Sequence, residues 1–498
     1  MMRFPNSCPG WLYFVVSLVA GLFMVSSQSL WIDEGQTWLF ARQSSLSDWM
    51  AKLLSDRGSQ AQMPFGMFAA WLEGRLFGES EWQLRSLNAL WIALAGTAMG
   101  RLGQALRLPS LLPLFLVHPF VWYYANEARP YALMICVSAW LVALWGLVNH
   151  DRTLTPKRLW AICLVAIAGL GSSLLFSFGL IGFVFALAAT MIIRKIDLDR
   201  RHAIPIATTV LAMTALMTYY AWTLARGAGG TKIWNVGLSN VAFAFYELLG
   251  FGGLGPPRYE LRETARGSGG VAALMLQARY IVGLAMLAAS YLVLLRPIWK
   301  LRRDSLYLIA TGAVVLSTGA LFVASAVVGF PFWGRHLAFS LPMVVLLISN
   351  AAAAIEQHFL RRFLAFSLFV ILLVSSLCQR FLPPYGKDDY RSASRMATAA
   401  LRAGKDVWWV GDHVAANYYA LGKSSNAPSS GRLSWFNAER ERDTRNKPAP
   451  DLIFVSKPEV HDPENKVVSY INEHGYQPIA QLTAFRIYAR TGHSGSQK

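Results

Sequence analysis

Two adjacent acids, Asp33 and Glu34, stand in the stretch Ser29-Leu30-Trp31-Ile32-Asp33-Glu34-Gly35-Gln36-Thr37-Trp38, directly after an apolar run from Trp11 to about Ser26. A run of that length crosses or nearly crosses a bilayer. The acids therefore emerge at the lipid–water interface, among tryptophans suited to it. Carboxylates in that position are either catalytic or structural, and Asp33 with Gln36 three residues on also matches a capping box that opens a surface helix. A second charged element, Glu127-Ala128-Arg129-Pro130-Tyr131, follows another apolar run. Its proline favours a break, which puts Glu127 and Arg129 in an interfacial turn. The bland alternative there is an arginine anchored to lipid phosphate and paired with the glutamate. Gly334-Arg335-His336, in a short connection, and Arg258, in a glycine-rich one, complete the candidates.

The chain that must position these residues is apolar throughout. Of 498 residues, 54% are hydrophobic and 15% charged, where a soluble protein carries about a quarter charged. The pattern predicts a polytopic α-helical membrane protein of about 11 transmembrane helices. Expected spans lie near residues 11–27, 86–100, 109–123, 131–148, 204–224, 271–295, 306–328, 337–355 and 363–382, with two more in the block 159–193, which Gly169 to Ser173 divide at a tight turn. His118-Pro119 reads as a kink with a satisfied histidine. Apolar residues at near-helical spacing predict interfacial helices in the first outer loop, one through Trp38 to Leu54 and one through Pro64 to Leu76.

The formal charge of +18 is explained by placement. Basic residues fill alternate connections, at Arg101–Arg107, Arg152–Arg158, Arg194–Arg201, Arg296–Arg303 and Arg361–Arg362. That alternation fixes topology with basic loops in the cytoplasm, and no nucleic-acid partner is needed. The expected setting is a bacterial-type inner (plasma) membrane, with a cytoplasmic N-terminus, a retained first span after Arg3, and the acids outside. Cys8, Cys136, Cys163 and Cys378 show no paired spacing and read as small apolar residues.

After Pro383-Pro384 the apolar runs shorten and charge rises. A membrane domain over 1–382 and a small α/β extracytoplasmic domain over 383–498 are expected. In the second, Asp389 to Leu401 and Val467 to Glu473 read as helices, Val407–Val410 and Leu452–Val455 as buried strands, and Gln477 to Tyr488 as a closing strand pair.

An acid pair after the first span, an amphipathic outer loop and Glu-x-Arg-Pro-Tyr before span four together resemble the integral-membrane glycosyltransferases of the GT-C fold. The nearest branch is the bacterial glycosyltransferase family 39 type, related to protein O-mannosyltransferases and lipid A aminoarabinose transferases. Gly334-Arg335-His336 resembles an arginine–aromatic element of that family, and the C-terminal domain resembles an appendage of its bacterial members. The resemblance implies a polyprenyl-phosphate-linked sugar donor, membrane lipids around it, and a lipid, glycan or protein acceptor. It implies Asp33 as the general base, with Glu34 and Glu127 positioning acceptor or sugar or, together with Asp33, holding a divalent cation. No other cofactor is implied. The leaving phosphate needs cations, and arginine's planar fork suits it. Arg129 and Arg335 are the first candidates, followed by His336 and Arg258, with Tyr131 positioning substrate. One departure is visible. Where many relatives carry a His- or Lys-containing element ending in Pro-Pro-Leu-Tyr, this chain reads Gln60-Ala61-Gln62-Met63-Pro64-Phe65-Gly66, with the proline and without the base.

Two other functions use the same features: a transporter or flippase for such a lipid, and a non-catalytic lipid-binding protein. Transporters place ionisable groups or broken helices near the bilayer midplane, whereas here the expected spans are almost free of charge and the acids gather at one face.

Overall fold

The computed structural model describes residues 9–229, 236–266, 270–424, 431–436 and 448–490. Arg3 and Cys8 lie outside them. Two compact units divide the chain: residues 1–26 with 40–385, and residues 27–39 with 386–498.

The first unit is helical. Among the described residues, six of its helices are long and apolar enough to cross a membrane: Tyr131–Asp151, Phe176–Arg194, Arg200–Ala225, Ala278–Arg303, Ser305–Val328 and His358–Phe381. Gly10–Met24 and Leu341–Ala353 are shorter apolar helices, and Gln83–Ala105 runs for 23 residues. Large apolar side chains such as Ile192, Leu211, Val282 and Val327 are exposed along them, as a lipid-facing surface requires. The chain is thus a multi-pass membrane protein. The span expected at 109–123 is instead two short helices, Leu111–Leu116 and Pro119–Ala125. His118 separates them, its Nδ1 accepting from the Phe120 backbone N–H at 3.2 Å. Proline at the first helical position needs no such donor, so the break is capped; the histidine is not fully satisfied as expected, because its Nε2 is buried with no hydrogen-bond partner among the described residues. Residues 271–295 likewise begin as a separate turn, Val271–Met275, before Ala278–Lys300.

Small residues set how closely the first helices approach. Without a hydrophobic driving force inside a bilayer, helices associate through close packing at small side chains. Tyr13, Ser17 and Gly21 recur every four residues on Gly10–Met24 and meet Gly100, Gly96 and Ala89 of Gln83–Ala105. A Cβ on Gly21 would come within 2.9 Å of the Ala89 backbone. The amphipathic helix expected through Pro64 to Leu76 is present as Pro64–Phe77, but the one expected through Trp38 to Leu54 is divided, its second half forming Leu46–Ser55 and Trp38 belonging to the helix Ile32–Ala41; Trp49, Met63 and Met67 share one buried cluster.

The second unit carries a five-stranded sheet: β1 Val407–Val410, β2 Leu433–Phe436, β3 Leu452–Ser456, β4 Tyr476–Leu482 and β5 Phe485–Arg490, in the order β2-β1-β3-β5-β4. β1 pairs in parallel with β2 and β3, while β5 is antiparallel to β3 and β4. A strand covered on both faces reads as a continuous apolar run, and Val407-Trp408-Trp409-Val410 is buried throughout. Trp409 packs with Tyr390, Phe454 and Phe485, beneath the helix Tyr390–Arg402. Trp408 packs on the other face with Phe436 and Tyr470, the latter from the helix Lys466–Glu473. Strand β2 and the short helices His413–Tyr418 and Leu421–Ser424 have no counterpart in the sequence reading.

Glu73, on Pro64–Phe77, is buried and accepts from Ser86 Oγ at 3.0 Å and from the Leu87 backbone N–H. Burial pushes its carboxyl up to about 7 against these two bonds. A carboxyl with a raised folded value binds more protons folded than unfolded between 4.5 and about 7, so stability falls as pH rises through that window and levels off above it. We expect wild-type protein to lose about 3 kcal/mol across the window through this group. Glu73→Gln should flatten that slope, as measured by melting temperature between pH 5 and pH 8.

Candidate functional site

The acid pair belongs to the second unit. Residues 27–39 cluster with the α/β domain rather than with the helices on either side of them in sequence. Leu30 N–H donates to Tyr419 Oη at 2.8 Å, Arg391 N–H to Ser29 Oγ at 3.1 Å, and Trp38 meets Tyr418 edge to face at 5.4 Å. The acids open the helix Ile32–Ala41, where negative charge is favoured. Gly35 allows that helix to seat on the turn at Ala415: a Cβ on Gly35 would lie 3.1 Å from the Ala415 backbone.

The two acids have different environments. Glu34 is fully buried, and its Oε1 lies 2.9 Å from Lys387 Nζ, itself 3% exposed. Its Oε2 accepts from the Trp31 N–H at 3.4 Å. Because the helix begins one residue before Asp33, it is Glu34, and not Gln36, that reaches back to the backbone N–H preceding the helix, at Trp31. A buried ammonium thus meets the charge of Glu34. Asp33 is half-buried. Burial first, and the Asp33 charge after it, push the Asp412 carboxyl above its usual range, against donation from the Ala415 backbone and the charge of His413.

The first unit holds the other candidates. The turn before Tyr131 is wholly buried, with Glu127, Arg129 and Tyr131 at 0%, 4% and 2% exposure. Asn88 Nδ2 donates to the carbonyls of Ala125 and Glu127 at 3.1 and 2.7 Å, and Asn126 Oδ1 accepts from Ser26 N and Oγ, each at 2.8 Å. Arg129 Nη2 donates to Ser59 Oγ at 3.3 Å, while its buried Nε and Nη1 have no hydrogen-bond partner among the described residues. Pro130 packs on Gly66, where a Cβ would come within 2.6 Å of it. The stretch Gln60–Gly66, which lacks the basic residue of many relatives, therefore lies beside Arg129.

Arg258 has a partner of its own. Its guanidinium donates to Glu247 and, at 2.9 Å, to Tyr124 Oη, and lies 3.8 Å over the Tyr123 ring. Burial opposes its charge, but Glu247 outweighs burial and raises the arginine well above its usual value, with Glu127 adding to it. Glu247 also lies against Gly334, where a Cβ would meet Oε2 at 2.0 Å. This differs from the expectation of a phosphate ligand: Arg258 is neutralised by Glu247, and the pair holds the Gly334-Arg335-His336 turn. Glu247 had no motif to announce it, and an acid in a segment of low charge was its only signal. Arg335 stacks 4.0 Å over Trp333, and His336 is buried beside the same ring. Tyr131 lies edge to face on Tyr124 at 5.2 Å. The side chains of Arg262 and Arg266 lie outside the described residues, and Cys136 and Cys163 are buried free thiols. No group of three or more His, Cys, Asp or Glu among the described residues is arranged to hold a metal ion.

No family model and no curated protein matches the chain. Solved structures do. ArnT from Cupriavidus metallidurans in the apo state matches at TM-score 0.50 with 14% identity, covering 97% of this chain and 98% of that one. The same protein bound to undecaprenyl phosphate matches at TM-score 0.51 with 15% identity and the same coverage. The chain therefore has the GT-C fold over nearly its whole length.

Breaking the Glu34–Lys387 pair tests how the acid segment is held. Removing one partner of a buried pair leaves an unmatched charge and costs about 3–5 kcal/mol. Glu34→Gln and Lys387→Met should each lower the melting temperature of the purified protein, and Glu34→Met with Lys387→Met should recover most of the loss.

Proposed function

We propose that this protein transfers a sugar from a polyprenyl-phosphate-linked donor to an acceptor hydroxyl on the extracytoplasmic side of a bacterial-type inner membrane, its N-terminus cytoplasmic. The observation that carries the reading is Arg129. A guanidinium offers five donors in a plane, and here two donor atoms, Nε and Nη1, are buried without a partner among the described residues. A buried cation with unused donors calls for an anion of matching geometry, and a phosphate fits that fork. Arg335 and His336 are assigned to the same phosphate, and Tyr131 and Glu127 to positioning. The fold shared with ArnT, which binds undecaprenyl phosphate, supports the choice of a lipid phosphate.

In the proposed step, the acceptor oxygen attacks the anomeric carbon and forms the new C–O bond. The bond from that carbon to the phosphate oxygen breaks, its electron pair leaving on the polyprenyl phosphate, and Asp33 takes the acceptor's proton. A divalent cation on Asp33 or Glu127 is compatible with this scheme and is not required by it.

Asp33→Asn, at normal membrane abundance, should lower transfer from polyprenyl-phosphate donors by about 10²- to 10⁴-fold. Arg129→Ala should raise the donor KM, and Arg129→Lys should restore part of it. Undiminished transfer by Asp33→Asn removes the base assignment. Lipid translocation without any transfer would replace the enzyme by a flippase.

A further inference from the structure

The short helix Ser59–Gln62 has no part in the scheme above, yet other segments of the first unit anchor it on several sides. Tyr219 Oη donates to the Ala61 carbonyl at 2.9 Å, and the Leu174 N–H donates to the Gln62 carbonyl at 2.9 Å. Gln62 Nε2 reaches the Ala228 carbonyl at 3.2 Å, and the Gly229 N–H donates to the Arg57 carbonyl at 3.1 Å. These partners come from the helix Ala203–Ala225, from the residues just after it, and from the turn that follows Pro156–Ser172. A loop bonded to three other segments has few ways to open locally.

The anchoring fixes the place of Ser59. Its side chain is half-buried, and its oxygen accepts from Arg129 Nη2 at 3.3 Å. A serine oxygen that accepts keeps its own proton for another acceptor. Donation from a cation also polarises the hydroxyl and makes it a stronger donor. Arg129 is 4% exposed, with Nε and Nη1 buried and without a hydrogen-bond partner among the described residues. Three donors therefore gather about one guanidinium: Nε–H, Nη1–H and the Ser59 O–H.

A ligand for such a group must bring acceptors. Water or a sugar hydroxyl brings protons as well, whereas an ionised phosphate oxygen brings lone pairs alone. The adjoining stretch Gln60–Gly66 supplies no cation, so a hydroxyl is what this side of the site has to offer. We propose that Ser59 is a ligand of the donor phosphate, its oxygen fixed by Arg129 Nη2 and its O–H donating to a phosphate oxygen held on the other donors of the same guanidinium. The assignment rests on the reading of Arg129 as a phosphate ligand and adds a neutral donor to it.

The test uses the full chain in detergent micelles, with farnesyl phosphate and inorganic phosphate as probes and binding read by isothermal titration calorimetry. Wild type should bind farnesyl phosphate more tightly than inorganic phosphate. Loss of one hydrogen bond to a charged group weakens binding about tenfold or more, so Ser59→Ala should weaken farnesyl phosphate binding by that factor. Ser59→Thr, which keeps the hydroxyl, should retain most of the affinity. In an Arg129→Ala background Ser59→Ala should add much less, because the bond that fixes its oxygen is gone. Ser59→Cys, which keeps the shape and weakens the donor, is the second variant if Ser59→Ala fails to fold, as checked by circular dichroism. Weakened binding by Arg129→Ala together with wild-type binding by the folded Ser59 variants overturns the Ser59 assignment and leaves the reading of Arg129 standing. Wild-type binding by Arg129→Ala overturns that reading and this ligand with it. Equal binding of the two probes, dependent on Ser59, supports the phosphate ligand and overturns the lipid-linked donor. Binding of neither probe by wild type overturns both.

Discussion

A charge taken out of water must be met by another charge or by hydrogen bonds, and this requirement organises both units. In the second unit Glu34 meets Lys387 and Asp388 meets Lys457; in the first, Arg258 meets Glu247. Each pair is at least partly buried, at a desolvation cost that close geometry offsets. Glu34–Lys387 and Asp388–Lys457 also tie together segments far apart in sequence. The pairs therefore hold positions that an apolar contact would leave free to slide.

Arg129 departs from this pattern in an informative way. It is more buried than Arg258, and its Nη2 donates to a serine hydroxyl where Arg258 meets a carboxylate. Arg258 is neutralised by a carboxylate, whereas Arg129 keeps Nε and Nη1 buried without a hydrogen-bond partner among the described residues. An anionic ligand explains the difference in terms of the same physics, without a special argument for the site.

Much of the architecture was legible because it follows from periodicity and hydropathy. The long spans, the two amphipathic helices, the turn near Gly169 and the strands β1 and β3 were visible as runs with the appropriate period. The break at His118-Pro119 was legible as a kink, but its division into two capped helices depended on a histidine nitrogen finding a particular backbone N–H. Strand β2 was missed because Leu433-Ser434-Trp435-Phe436 is short and only partly buried, so its sequence carries little apolar signal. The candidate residues were found through charge in an apolar chain. Their roles were harder to read, since Glu34 and Arg258 look as available in sequence as Asp33 and Arg129 do.

By itself, the sequence determined that this is a multi-pass helical protein with a small α/β domain, and which few charged residues could carry chemistry. Hydropathy and local period suffice for that, because burial in lipid leaves the backbone few solutions. Only the tertiary structure decided that Asp33 and Glu34 are built into the α/β unit, that Glu34 pairs with Lys387 and Arg258 with Glu247, and that Arg129 keeps two donor atoms without a partner among the described residues. Those pairings join residues from 11 to 353 positions apart. Pairing across such separations is set by where the chain brings two side chains together, which no local pattern records.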